Sequence, residues 1–215
     1  MVPAFGVHPW FVREQSGEWR SRLEDCLTRH PGAGVGEVGL DHGLKVRDDA
    51  RQAEFLVAQL DLARSLRRPI TIHCRRAWGA LLNVLRRLGR FEAGFVVHSY
   101  SGGEELIAPL VPLGAYFSFS GSLTFPGNRR GVEAAAAVPE ERLLLETDAP
   151  DIAPWRDGVA PEPQAPNEPA NLPLVAQRLA AVRGMGVEAV AALTERNARR
   201  LFDASKTGAS AAAFT

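Results

Sequence analysis

Long apolar runs are missing from this sequence. No stretch approaches the roughly 20 residues that a membrane-spanning helix needs. Cysteine is nearly absent, with only Cys26 and Cys74 in 215 residues, and no signal-peptide pattern precedes them. The expectation is a cytoplasmic chain with reduced thiols, in which both cysteines serve as small buried hydrophobes. Net charge is also absent. The 25 basic and 25 acidic side chains cancel, so no global field draws in nucleic acid or an anionic membrane. Lysine occurs only at Lys45 and Lys206. The other basic residues are arginines, and the abundant alanine beside them points to codon bias rather than to an arginine-built phosphate surface. A neutral chain still binds a polyanion locally where a metal site supplies the positive charge.

What the sequence does contain is alternation. Short apolar, β-rich runs recur at 2–7, 34–40, 69–74, 94–97, 115–119 and 142–145. Each is followed by a stretch of helical spacing or helix-forming composition. The clearest is 48–67, where Phe55, Leu56, Gln59, Leu60 and Ala63 share one side. Further helices are expected over 77–88 and 171–182. Six strands alternating with helices imply parallel βα units and an α/β fold. The pair Val96-Val97 and the run Leu143-Leu144-Leu145 read as strands covered on both faces. The segment 150–169 holds Pro150, Pro154, Pro161, Pro163, Pro166 and Pro169. It is expected to be a long loop after the last strand, where α/β barrels place their lids. Residues 1–203 therefore read as one incomplete α/β-barrel domain, and the small, polar residues 204–215 as a flexible tail.

The chemistry lies at the strand ends. His8 follows the first strand and Glu37 lies inside the second. His73 and His98 end the third and fourth, and Asp148 follows the sixth. The fifth ends in Ser118, Ser120 and Gly121, which are small or polar but not ligating. In an α/β barrel the C-terminal strand ends open on one mouth, so these residues are expected to meet there. Imidazoles and carboxylates suit a divalent metal such as Zn²⁺, Mn²⁺ or Mg²⁺. Two such ions bridged by Glu37 would clamp a phosphate and activate water, with Asp148 accepting a proton. Each residue also has a plainer role to weigh. His8-Pro9-Trp10 makes a good turn, and a strand-end histidine is commonly structural. Glu37 within Val-Gly-Glu-Val-Gly-Leu is a charge expected to be buried, which is costly unless it is paired with Arg75 or bound to metal. His30 and His42 are assigned to a helix end and a loop. The pairs Asp48-Asp49 and Glu104-Glu105 are assigned to helix N-termini.

The segments Gly6-Val7-His8-Pro9, Gly36-Glu37-Val38-Gly39-Leu40-Asp41, Ile72-His73-Cys74-Arg75, His98-Ser99-Tyr100-Ser101-Gly102 and Glu146-Thr147-Asp148-Ala149-Pro150 resemble, in order, the strand-end motifs of the TatD family. Asn167-Glu168-Pro169 and the run from Asn197 to Phe202 resemble its C-terminal signatures. The resemblance covers residues 3–203. It implies a TIM-barrel-like (β/α)8 metal-dependent hydrolase, amidohydrolase-like, that uses one or two divalent ions to cut phosphodiester bonds. Several family members are DNases. The resemblance further implies Glu37 as the bridging ligand and His73 and His98 as ligands of one metal. It makes Asp148 a ligand of the other metal and the group serving the activated water. The resemblance also implies that His8 and Arg75 lie near the substrate phosphate, with Glu146 behind the ligands. The implied partner is DNA or a small phosphodiester, with no membrane and no obligate protein partner.

One departure is large. The family begins with a strand carrying His-x-His, and that pattern occurs nowhere in this sequence. About six of the eight βα units of a closed barrel are counted. The expectation is that one metal keeps Glu37, His73 and His98 while the other has only Glu37 and Asp148, which puts the activity of the chain in doubt. Two alternatives stand beside the nuclease: a non-catalytic remnant that binds a partner, and a metal-dependent hydrolase of a small ester or amide. Trp10, Phe11, Trp78 and Tyr100 are placed to stack on bases, although at least half of them are expected to be packing residues.

Overall fold

A computed structural model describes residues 2–156, 159–162 and 166–203. The expected tail at 204–215, Lys206 and Pro163 lie outside the described residues. The chain resolves into two compact units, one formed by the residues up to Val96 with those from Arg199 on, the other by Val97–Ala198.

In the first unit three strands run parallel: β1 (Ala4–Phe5), β2 (Gly34–Asp41) and β3 (Ile70–Arg75). The two-residue β1 is shorter than the expected 2–7. Pro3 has no N–H to donate to a ladder, and only its carbonyl is used, by the Gly34 N–H at 2.9 Å. Strand β2 pairs with β3 from Val38↔Ile72 to Asp41↔Arg75, which sets Gly39 opposite His73. A side chain is impossible at Gly39: its φ is +153°, and a Cβ would lie 1.9 Å from the His73 carbonyl oxygen. The close approach of these two strands fixes where His73 stands relative to Glu37.

Helices α1 (Trp19–Arg29), α2 (Asp49–Ser65) and α3 (Trp78–Leu88) also belong to this unit. The Asp48 side chain accepts the Arg51 N–H at 2.9 Å and starts α2. All five residues of the expected stripe, Phe55, Leu56, Gln59, Leu60 and Ala63, are buried. Helix α2 packs on β2, whose Val35, Val38 and Leu40 are also buried. The Gln59 amide serves a different end, because its oxygen accepts the Val7 N–H at 2.6 Å and its nitrogen donates to the Val7 carbonyl at 3.2 Å. That pairing holds the backbone beside His8. A 3₁₀ turn over Pro9–Glu14 follows. Arg51 clamps it onto α2 by donating to the carbonyls of Val12 (2.7 Å) and Gln15 (3.1 Å).

Strand β4 (Phe95–Val97) lies at the division between the units. The second unit holds the parallel pair β5 (Ala115–Phe119) and β6 (Leu143–Leu145), in register Phe117↔Leu143. Its helices are α4 (Ile107–Leu110), α5 (Arg129–Ala137), α6 (Leu172–Arg183) and most of α7 (Val187–Phe202). Every residue of β5 is buried, as its apolar composition requires. The Asn197 amide of α7 donates to the carbonyls of Glu140 and Leu143 at 2.7 and 2.9 Å, holding the start of β6. The segment after β6 is irregular, as its prolines dictate. Asn167 pins it: buried, it donates to the carbonyls of Thr147, Asp151 and Ile152 and accepts from Glu168 N–H and the Asn171 amide. Among the described residues no helix is long and apolar enough to cross a membrane.

Candidate metal centre

The first unit gathers His8, Glu37 and His73. Each offers a ligand atom, and these atoms all lie within 4.8 Å of one another. His8 caps the 3₁₀ turn, its Nδ1 accepting the Trp10 N–H at 3.3 Å, and its Nε2 stands 3.7 Å from Glu37 Oε2. The His8 and His73 rings are 4.6 Å apart. Glu37 is the one exposed residue on an otherwise buried strand, with 41% of its side chain open to solvent. This corrects the expectation of a buried carboxylate that needs Arg75. Solvent keeps Glu37 hydrated, and the imidazole nitrogen beside it is His8 Nε2, at 3.7 Å. Arg75 itself is exposed at the end of β3. Its guanidinium lies over Gly43, where a Cβ would come 3.0 Å from Arg75 Nε.

Behind these three residues lies Asp41, the last residue of β2, with no exposed surface. Its Oδ2 accepts the Trp10 indole N–H at 2.7 Å and lies 3.2 Å from His73 Nε2, while its Oδ1 accepts the Gly43 N–H at 2.7 Å. Burial alone would raise this carboxyl. The Trp10 and Gly43 donors, with His73, outweigh it and hold Asp41 below its ordinary value, as a carboxylate. A carboxylate on one imidazole nitrogen fixes the orientation of a ligating histidine. In the sequence Asp41 stands only as the last residue of the motif at 36–41. The signal was an acidic residue closing an apolar strand.

The second unit gathers His98, Glu146 and Asp148. His98 Nδ1 is 3.5 Å from Glu146 Oε1 and 3.7 Å from Asp148 Oδ1. Ser118 of β5 donates to Glu146 Oε2 at 2.5 Å. Glu146 Oε1 is buried and has no hydrogen-bond partner. Apart from the His98 nitrogen at 3.5 Å this buried oxygen has lone pairs to spare, which suits a metal-binding role. The backbone takes up positive φ beside one predicted ligand of this unit and at the other: Ser99, next to His98, has φ +42° and Asp148 φ +63°. Such residues cluster at functional sites. Ser99 Oγ lies 2.7 Å from Ser120 Oγ, which places a hydroxyl pair next to His98. The two sets, imidazoles with carboxylates, have the donor chemistry of a divalent-metal hydrolase.

The comparisons agree with that class. The family model described as TatD related DNase matches residues 1–203. The chain is 36% identical over 200 residues to the 3'-5' ssDNA/RNA exonuclease TatD of Erwinia billingiae, covering 92% of this chain and 76% of that protein. It is 36% identical over 208 residues to the uncharacterized metal-dependent hydrolase YcfH of Escherichia coli K12, covering 96% and 76%. Among solved structures, the TatD homolog YJJV of Escherichia coli K12 superposes with a TM-score of 0.85 at 30% identity, over 94% of this chain and 76% of that one. The fold is therefore α/β and TIM-barrel-like. The chain belongs to the TatD-related DNase family and is a metal-dependent hydrolase.

Proposed function

We propose that this protein hydrolyses phosphodiester bonds of DNA, using divalent metal held by Glu37 and His73 in the first unit and by His98 and Asp148 in the second. The observation that carries the reading is the gathering of His8, Glu37 and His73 donor atoms within 4.8 Å. The orphaned Glu146 oxygen beside His98 supports it in the other unit. A bound divalent ion would polarise the phosphate and lower the pKa of the attacking water. The chain's own residues do the rest. Asp41 holds the His73 ring in place, and Ser118 holds Glu146 beside His98. Asp148 accepts the proton of the attacking water. His8 and Arg75 face the phosphate, and the clustering of His8 with Glu37 and His73 favours it as a further donor. The name carried by the Erwinia relative supports a single-stranded nucleic acid as substrate.

The test is single-turnover cleavage of an end-labelled oligonucleotide with Mg²⁺, Mn²⁺ or Zn²⁺, beside calorimetric titration of each metal into the chelator-treated chain. Metal-dependent cleavage that is lost in Glu37→Gln and Asp148→Asn is the expected result. Tight metal binding without cleavage of any oligonucleotide would overturn the phosphodiester assignment and favour the small ester or amide. Absence of metal binding would favour the non-catalytic remnant.

A further inference from the structure

Two large aromatic side chains stand half in solvent beside the candidate metal residues. Trp10 and Phe11 are each 49% exposed. Both rings lie against His8, with centroids 5.0 and 6.2 Å away, and the Trp10 ring also lies 6.4 Å from that of His73. An exposed aromatic is commonly mobile, but Trp10 is not placed as a mobile one. Its indole N–H is tied at 2.7 Å to the fully buried Asp41, the carboxylate that also contacts His73. The turn that carries both rings is clamped to α2 through Arg51. The conformational cost of presenting the two rings is thus already met in the folded chain.

The same turn continues to Arg13, which lines an open cleft of about 630 Å³ with Lys45, Arg47, Asp48 and Asp49. The two carboxylates there are engaged: Asp48 caps α2 and Asp49 pairs with Arg47 at 2.7 Å. Arg13 and Lys45 are exposed, and among the described residues neither has an ion-pair partner. Lys45 is one of only two lysines in the chain. From this turn to the loop that carries Lys45, the surface therefore passes from metal-type donors to aromatic rings and then to a cleft whose three cations outnumber its two carboxylates.

We propose that this face is a lane for a single strand of nucleic acid. Unpaired bases stack on Trp10 and Phe11, and the phosphates beyond them lie in the Arg13–Lys45 cleft. The proposal rests on the nuclease reading and adds how the substrate is held. A base with an open π-face is what such rings recognise, so a duplex, whose bases are already stacked, fits poorly. The arrangement differs from a simple basic patch because the rings, not the charges, lie next to the candidate ligands.

The experiment measures binding, not turnover. The full chain, with EDTA present to prevent cleavage, is titrated into a fluorescein-labelled decathymidylate. The comparison probes are an abasic strand of equal length and charge and a blunt duplex of equal length, which carries about twice the phosphates. The decathymidylate should bind about ten-fold or more tightly than the abasic strand. Phe11→Ala should erase that difference, and Phe11→Trp should keep it. The double variant Arg13→Gln with Lys45→Gln should weaken the normal and abasic strands equally. It should lower the salt slope of log K by about 1.4, at about 0.7 per phosphate contact. Abasic and normal strands binding alike, or a Phe11→Ala chain with unchanged melting and unchanged affinity, would overturn the lane. Base-dependent binding without metal-dependent cleavage would leave the lane standing and sink the nuclease reading, so the two failures are distinguishable.

Discussion

His73 Nε2 lies 3.2 Å from Oδ2 of Asp41, a carboxylate that has no contact with solvent. One side chain thus aims a candidate ligand from behind and anchors the neighbouring Trp10 ring as well. Removing its charge while keeping its shape should loosen both. Asp41→Asn should lower the affinity of the chain for divalent metal by about 10–100-fold. Calorimetric titration of Mn²⁺ or Zn²⁺ into the chelator-treated variant and parent checks this. Equal affinities would remove Asp41 from the site.

Gly39 is expected to tolerate no side chain. Gly39→Ala puts a methyl 1.9 Å from the His73 carbonyl oxygen at a φ of +153°. The strands must then part, at a cost of about 3 kcal/mol or more. A urea melt followed by far-ultraviolet circular dichroism measures it, and a shift under 1 kcal/mol would be the contrary outcome.

Asn167 should govern the segment that follows β6. Truncating it in Asn167→Ala leaves three carbonyls, of Thr147, Asp151 and Ile152, without its amide. The expected loss is about 2–4 kcal/mol, given about 1 kcal/mol or more for each bond broken in a buried setting. Limited trypsin digestion should then cut at Arg156 well before the rest of the chain. An unchanged cleavage pattern would show that the prolines alone hold the segment.

The two cysteines should differ in reactivity. Burial pushes the Cys74 thiol up to about 12, aided by the Asp41 charge and partly offset by a hydrogen bond from Ala77. The thiolate is the reactive form, so Cys74 should resist iodoacetamide at pH 8. Cys26 on α1 is only half-buried and should be labelled. Peptide mapping by mass spectrometry reads both sites at once.

Much of this molecule was legible in the sequence. The stripe Phe55, Leu56, Gln59, Leu60, Ala63 placed α2 correctly because periodicity reports burial directly. The run 115–119 matches β5 residue for residue, since a strand covered on both faces is apolar throughout. Strand-end histidines and acids pointed to metal chemistry, and the pairings His8 with Glu37 and His98 with Glu146 fall among them. The misses have a common physical origin. Glu37 reads as buried because its neighbours are, and only the fold reveals that one side chain on β2 is left open. Asp41 was passed over because its partners, Trp10 and Gly43 and His73, come from three separate segments. Cys26 was expected to be buried, yet it falls on a partly exposed side of α1, a helix with only Leu23 and Leu27 buried.

The left-handed backbone at Asp148, φ +63°, bears on how mutants of this protein are to be interpreted. Among residues with a side chain, asparagine and aspartate tolerate that region best, while alanine and larger residues are strained in it. An alanine there changes two things at once, the carboxylate and the shape of the chain next to His98. Any rate lost by Asp148→Ala would thus mix chemistry with local geometry, whereas Asp148→Asn keeps the bend and isolates the charge. The residue was fitted to its position by its backbone as well as by its oxygens, so a screen that scores it by alanine alone would overstate its chemical share.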